Sequence, residues 1–250
     1  MRVWCSAVVL VGFAFCRPVY AEIPSNAKLK PLAGQVYVYE SSDYVATNYV
    51  VYVGLRSVTV AGATWTPSTA QKLHEAIKAV TQLPISEVLD TSPDPEWSGG
   101  NSYWEGIGAK VIAVSETTSL LKSEWKPTAD FVAQHSSEFG IRGVMLPNET
   151  IGDDTQIQNG AVRILYLGAS HTPGDVFVYF PNEKVLDAGS IIKEQVGNLA
   201  SADLVEYPKT LEKLKAAKLD IRTVVSGHWS AIHGPEIIDQ YEKLLTTAKR

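Results

Sequence analysis

The stretch V-L-D-T-S-P-D-P-E-W-S-G-G-N, residues 88–101, decides how the rest of the chain is read. Apolar Ile85, Val88 and Leu89 run into two prolines, Pro93 and Pro95, and three carboxylates, Asp90, Asp94 and Glu96. The pair Gly99-Gly100 then opens an aromatic-bearing helix from about Asn101. This is the pattern of a buried strand that ends in a rigid loop, with acidic side chains gathered beyond its carboxyl end. Layered α/β proteins display reactive groups in that position. The prolines pre-set the backbone, and Asp94 and Glu96, two apart in an extended segment, are expected on the same side.

Working outward, residues 36–39, 49–53 and 57–61 are β-rich and separated by polar or glycine breaks, which predicts three antiparallel strands. Thr66-Pro67 caps a helix carrying Leu73, Ile77 and Val80 on one face. Strand 85–89 feeds the acidic loop, a helix near 101–107 follows, and 110–114 is again a strand. Ser123 is read as the cap of a long helix through about residue 137, with Trp125, Ala129 and Val132 on its apolar side. The second half repeats the alternation. Strands are expected at 156–157, 162–167, 176–179, 184–186 and 223–225. Helices are expected from Pro208, with Leu211 and Leu214, and from Gly234-Pro235, with Ile238, Tyr241 and Leu245. Strands then helices, twice over, predict an α/β (α+β) chain of two halves packed sheet to sheet.

Residues 1–21 stand apart. A short basic start, an apolar run at 3–15 and the small-x-small sequence Val19-Tyr20-Ala21 read as a secretory signal peptide, too short to span a membrane. Both cysteines, Cys5 and Cys16, lie in it, so residues 22–250, read as a single domain, hold no disulfide and no thiolate. Without Arg2 and Arg17 the formal charge moves from −5 to −7. An acidic exported chain without basic clusters is a poor partner for nucleic acid or an anionic membrane. The expectation is a monomer acting on a small molecule.

Three strand-end loops carry His, Asp or Glu: 92–96, 170–172 and 227–228. A fourth, 188–198, adds Ser190, Lys193 and Asn198. If the halves pack as expected, all four converge on one edge, a common way to hold a divalent ion and its water.

Several segments together resemble the metallo-β-lactamases, closest to the single-zinc, carbapenem-selective subclass of class B. They are V-T-V-A-G-A-T-W-T-P (58–67), G-G-N-S-Y-W-E-G-I-G-A-K-V (99–111), 171–181, 193–214 with G-N-L and Y-P-K-T-L-E-K-L, and G-H-W-S-A-I-H-G-P-E-I-I-D (227–239). The resemblance implies a four-layer αβ/βα metallo-β-lactamase sandwich, a periplasmic location and zinc-dependent hydrolysis of an amide.

The departures fall on the metal ligands. The subclass motif Asn-x-His-x-Asp-Arg is here Ser92-Pro93-Asp94-Pro95-Glu96-Trp97. Asp94 replaces the histidine, Glu96 the aspartate, and Ser190 the cysteine, while His171 and His228 are kept. The resemblance gives Lys193 the substrate carboxylate and Asn198 the lactam carbonyl. Loss of a thiolate lowers zinc affinity. The expected cofactor is a weakly held divalent metal, zinc or else manganese, iron or magnesium, on Asp94, Glu96, His171, Ser190 and His228. Asp94 is the general base if it is not a ligand.

Plainer readings stand beside these. Asp94 and Glu96 also suit a solvated acidic loop, His171 a support for loop backbone, and Lys193 and Asn198 ordinary loop positions. Trp97 and Trp104 are expected in the core, His233 in a structural role, and His74 and His135 at the surface. Ser190 and Lys193 also make an S-x-x-K spacing, but outside a helix and without companion motifs. The rival function is a non-catalytic descendant that binds an anionic ligand without turnover.

Overall fold

A computed structural model describes residues 29–42, 45–133 and 145–248. The expected signal peptide, both cysteines, the start of the domain at residue 22 and His135 lie outside the described residues.

Two sheets face each other. The first is ordered β1 (Leu29–Ala33), β2 (Val36–Ser41), β3 (Thr47–Val53), β4 (Val58–Ala61), β5 (Ile85–Leu89), β6 (Lys110–Val114) and β7 (Glu149–Ile151). It is antiparallel through β4 and parallel from there on. The second runs β13 (Ile232–His233), β12 (Thr223–Val225), β11 (Val185–Asp187), β10 (Phe177–Phe180), β9 (Val162–Leu165) and β8 (Asp154–Ile157). Only β11 and β12 pair in parallel within it.

Alternation along the strands builds the layers. In β3, Tyr49 and Val51 face α1 (Pro67–Lys78) and α3 (Asn101–Gly106), while Val50 and Tyr52 face the other sheet. The inter-sheet layer sets Val38, Leu89 and Ile112 against Ile164, Val178 and Phe180. The outer face of the second sheet packs Phe177 and Leu186 on α5 (Glu206–Ala216) and α6 (Ile237–Ala248) through Leu211, Leu214 and Leu245. Helix, sheet, sheet, helix is the expected αβ/βα sandwich. Leu73 is fully buried in the first helical layer, and truncating it to Ala would cost about 2–5 kcal/mol.

Local chemistry fixes the ends. Thr66 caps α1 by a reciprocal pair with Thr69, the Thr69 N–H donating to Thr66 Oγ1 at 3.2 Å and the Thr66 N–H to Thr69 Oγ1 at 2.8 Å. Other boundaries differ from expectation. Helix α4 spans Ser115–Ala133 and begins eight residues before Ser123, directly at the end of β6. Its start is held by packing: Thr117 Oγ1 donates to Gly174 O at 2.5 Å, and a Cβ on Gly174 would lie 2.8 Å from the Thr117 backbone N. Strands β1 and β7 were not expected at all. His74 is a packed residue and not simply a surface one, its Nδ1 lying 2.8 Å from the Tyr103 hydroxyl and its ring tilted on Trp104.

Candidate functional site

The loops after β5, β9, β11 and β12 meet at one edge of the sandwich, and backbone hydrogen bonds stitch them together. Val176 N donates to Thr91 O at 3.0 Å, Gly227 N to Gly189 O at 2.9 Å, and Asn48 N to Gly227 O at 2.8 Å. The Asn48 side chain adds bonds to the carbonyls of Ser226 and Trp229. Beneath them lies Trp97, fully buried, edge-on to Tyr49 and to His228. Gly227 is pressed onto that indole, where a Cβ would come within 2.6 Å of the ring; only glycine lets the His228 loop settle there.

Above the indole is a cavity of about 590 Å³, lined among others by Asp94, Glu96, His171, Lys193, Asn198 and His228. The acidic loop is not extended throughout, as the sequence suggested. Asp94 is extended, but Pro95 starts a helical turn, α2 (Pro95–Ser98), with Glu96 in it. The two carboxylates therefore meet different histidines. Asp94 Oδ2 lies 3.5 Å from His171 Nε2, and Glu96 Oε1 lies 3.5 Å from His228 Nε2.

The pairs are set up in opposite senses. Burial, then the charges of Lys193 and His228, lower the His171 pKa to about 3, so the ring is neutral at physiological pH. Its Nδ1 faces Lys193 Nζ at 3.4 Å. A charged ammonium only donates, so Nδ1 accepts and the ring proton sits on Nε2, toward Asp94. His228 Nδ1 instead lies 3.0 Å from Ala46 O. A carbonyl only accepts, so Nδ1 carries a proton, and Nε2 is the ring nitrogen turned toward Glu96.

Electrostatics follow from this crowding. Burial first, then Glu96 and Asp175, hold the Asp94 carboxyl well above the usual carboxylate range, with Lys193 pulling the other way. Lys193 is buried, and desolvation lowers its pKa against the raising effect of Asp175, Glu96 and Asp94. Asp175 clamps the His171 loop: its carboxylate accepts from Thr172 N at 2.6 Å, Thr172 Oγ1 at 2.7 Å and Ser170 Oγ at 2.9 Å. The sequence reading passed over Asp175, although Ser-His-Thr-Pro-Gly-Asp carries the hydroxyls of such a turn. It also missed the Ala46 carbonyl, Trp65, Glu124 and Trp229 as cavity-forming groups.

A catalytic zinc takes three protein ligands, and two ligand atoms on one tetrahedral ion lie about 3.3–3.4 Å apart. The Glu96–His228 edge, at 3.5 Å, is close to that spacing, and with Nδ1 held by the Ala46 carbonyl, Nε2 is the ring atom that could meet an ion, so the pair fits two ligands of one small divalent ion. The Asp94–His171 edge is spaced alike, but the tautomer places a proton there. Among the described residues no three His, Cys, Asp or Glu side chains group to hold an ion. The residues fit a weakly held cation and not a closed cage. Ser190 is buried, its hydroxyl has no hydrogen-bond partner among the described residues, and it is not among the cavity-lining residues. Asn198 lines the cavity, and its Oδ1 accepts from Ala200 N at 3.0 Å, leaving the amide nitrogen free to donate elsewhere. His233 is not among the cavity-lining residues, and its Nε2 lies 2.8 Å from Ser230 O.

A four-layer αβ/βα sandwich whose strand-end loops bring acid, imidazole and ammonium groups to one edge is the metallo-β-lactamase fold. The crystal structure of VMB-1 matches it with a TM-score of 0.76 at 22% identity, covering 89% of this chain and 98% of that one. In sequence, Metallo-beta-lactamase IND-1 of Chryseobacterium indologenes is 26% identical over 208 residues, covering 79% of this chain and 80% of that protein. Metallo-beta-lactamase type 2 of Elizabethkingia meningoseptica is 25% identical over 251 residues, covering 94% of each. No protein-family model matches the chain. The chain therefore has the fold of the metallo-β-lactamases and resembles them at low identity over most of its length. Among the described residues no helix is long and apolar enough to cross a membrane.

Proposed function

We propose that the chain is a hydrolase of the metallo-β-lactamase superfamily, exported to the periplasm by its first 21 residues. Its substrate is a carbapenem-like β-lactam or a related anionic cyclic amide or ester. The observation that carries this reading is the convergence of Asp94, Glu96, His171, Lys193 and His228, from four separate loops, on one cavity of substrate size. Likeness to proteins named metallo-β-lactamases over most of the chain supports it.

Lys193 is the cation available for the substrate carboxylate, and the Asn198 amide nitrogen orients the carbonyl. Asp94 takes a proton from water as the water oxygen bonds to the carbonyl carbon. The C–N or C–O bond then breaks, and the same proton returns to the leaving nitrogen or oxygen. His171, proton on Nε2, holds Asp94 in place. A divalent ion, zinc foremost, would be held by Glu96 and His228 and would supply a polarised water when bound. Asp94 and His171, two remaining positions of the expected ligand set, serve here as base and positioning group; Ser190 lies buried outside the cavity lining and is given no role in this reading.

The test is metal analysis of the purified protein with imipenem and nitrocefin hydrolysis, before and after chelation, in wild type and His228→Ala. Turnover that falls with chelation and in His228→Ala supports the reading. Metal-free protein that binds a carbapenem without consuming it refutes turnover and leaves the non-catalytic rival. Chelator-resistant turnover abolished by Ser190→Ala would instead move the nucleophile to the serine.

A further inference from the structure

Lys193 and His228 sit on different loops, 188–198 and 226–231, yet the two loops are tied together on both sides of each residue. Ser226, just ahead of Gly227 and His228, is fully buried, and its hydroxyl lies 3.0 Å from Ile192 O and 3.1 Å from His228 O. One hydroxyl proton is thus shared between the carbonyl that precedes Lys193 and the carbonyl of His228 itself. On the far side of His228, Ser230 donates its N–H to Glu194 Oε2 at 3.2 Å, so the residue after Lys193 is held as well. The Ser230 hydroxyl, then this N–H, keep the Glu194 carboxyl below the usual carboxylate range.

Between those ties the chain turns under strain. Trp229 has a φ of +59°, in the left-handed region that a bulky side chain rarely occupies. Ser226 N donates to Ala231 O at 2.9 Å and closes the turn, while Asn48 Nδ2 donates to Trp229 O at 3.2 Å. The Trp229 indole rests on Gly197, where a Cβ would come within 3.3 Å of Cη2. Such turns persist where the surroundings over-determine them, and here much of the surroundings is the Lys193 loop. That loop is anchored from behind, the Tyr207 hydroxyl donating to Ile191 O at 2.5 Å.

We propose that Ser226 and Glu194 are positioning residues that lock Lys193 and His228 into one unit, so that the grip on an anion and the grip on a cation are set together. Neither residue lines the cavity, so each acts through the two that do. The inference rests on the hydrolase reading in giving Lys193 the anion and His228, with Glu96, the divalent ion. A loop already held in its bound shape loses less freedom when a ligand arrives. Each tie spans both loops, so a tie cut from either side loosens both grips.

The test reads each loop through the other. Zinc affinity is measured by competition with a chromophoric chelator, imipenem affinity by calorimetry on metal-free protein, and imipenem turnover separately on zinc-loaded protein. Ser226→Ala, on the His228 loop, should weaken both zinc and imipenem about 10-fold. Ser226→Cys replaces it if circular dichroism shows the Ala variant misfolded. Glu194→Ala, on the Lys193 loop, should weaken zinc about threefold. Glu194→Gln, which keeps the acceptor without the charge, should restore the wild-type value. Lower thermal stability with both affinities unchanged overturns the proposal, as does an effect confined to the mutated residue's own loop. A Glu194→Gln variant as weak for zinc as Glu194→Ala overturns it too, by assigning the effect to charge. Cross-loop losses in a protein that hydrolyses nothing support the positioning and count against the hydrolase reading; turnover without cross-loop losses does the reverse. Wild type that binds neither zinc nor imipenem at millimolar concentration overturns both.

Discussion

The two acid–imidazole pairs on the cavity floor have the same spacing and opposite chemistry. In each, a carboxylate oxygen lies 3.5 Å from a histidine Nε2. What separates them is the neighbour on the far side of the ring: an ammonium at His171 and a backbone carbonyl at His228. At His171 the ring proton is turned toward the carboxylate; at His228 the proton fixed on Nδ1 leaves Nε2 as the atom that faces it. Distance between donors is thus a poor guide to what a site binds; the group that fixes the tautomer decides.

That contrast can be broken. The largest effect is expected at the base: Asp94→Asn should lower kcat about 10²- to 10⁴-fold, with metal content unchanged on elemental analysis. If Asp94→Asn emptied the protein of metal as fully as His228→Ala, the two pairs would be one ligand set and the division drawn here would be wrong. At the other pair, His228→Ala should weaken zinc binding on the order of 100-fold or more, read by competition with a chromophoric chelator.

A sharper test lies between the pairs. Lys193→Met removes both the donor that fixes the His171 tautomer and the charge that opposes a cation. Zinc affinity should rise about 10-fold while KM for an anionic substrate increases. A fall in zinc affinity would mean that Lys193 does not set the ring.

The smallest effect concerns stability. Burial raises the Asp187 pKa to about 7, despite the bond it accepts from Gly189 N. A carboxyl whose folded pKa lies above its unfolded one keeps its proton more readily in the folded state. Its stabilising contribution is complete below the unfolded value near 3.8 and is lost as pH climbs toward 7. Asp187→Asn should remove this part of the slope, at most about 1.4 kcal/mol per pH unit, so denaturation midpoints of variant and wild type diverge across that interval. Parallel curves would contradict the assignment.

The layered fold was legible because both sheets are buried on both faces and their strands are runs of Val, Ile and aromatics. Strand β1, with Lys30 and Pro31, and β7, with a Glu and only three residues, carry no such pattern. Their state comes from the neighbour each pairs with. The early start of α4 was hidden by Thr117 and Thr118, weak helix formers; the tertiary bond from Thr117 to Gly174 overrides that preference. Of the site, the residue types were readable and their partnership was not. The spacing of Asp94 and Glu96 suggested one shared side, and a single turn of α2 divided them. The His228 tautomer depends on Ala46, 182 positions away in the chain.

The indole under the cavity has a practical consequence. Trp97 is sealed from solvent, with its ring 5.9 Å from the His228 imidazole. A proton or a metal ion arriving at that ring changes the electric field on a fixed chromophore, so the emission of Trp97 should report occupancy directly. The signal missing from Trp97→Phe is the one to follow, and a titration watched this way needs no substrate.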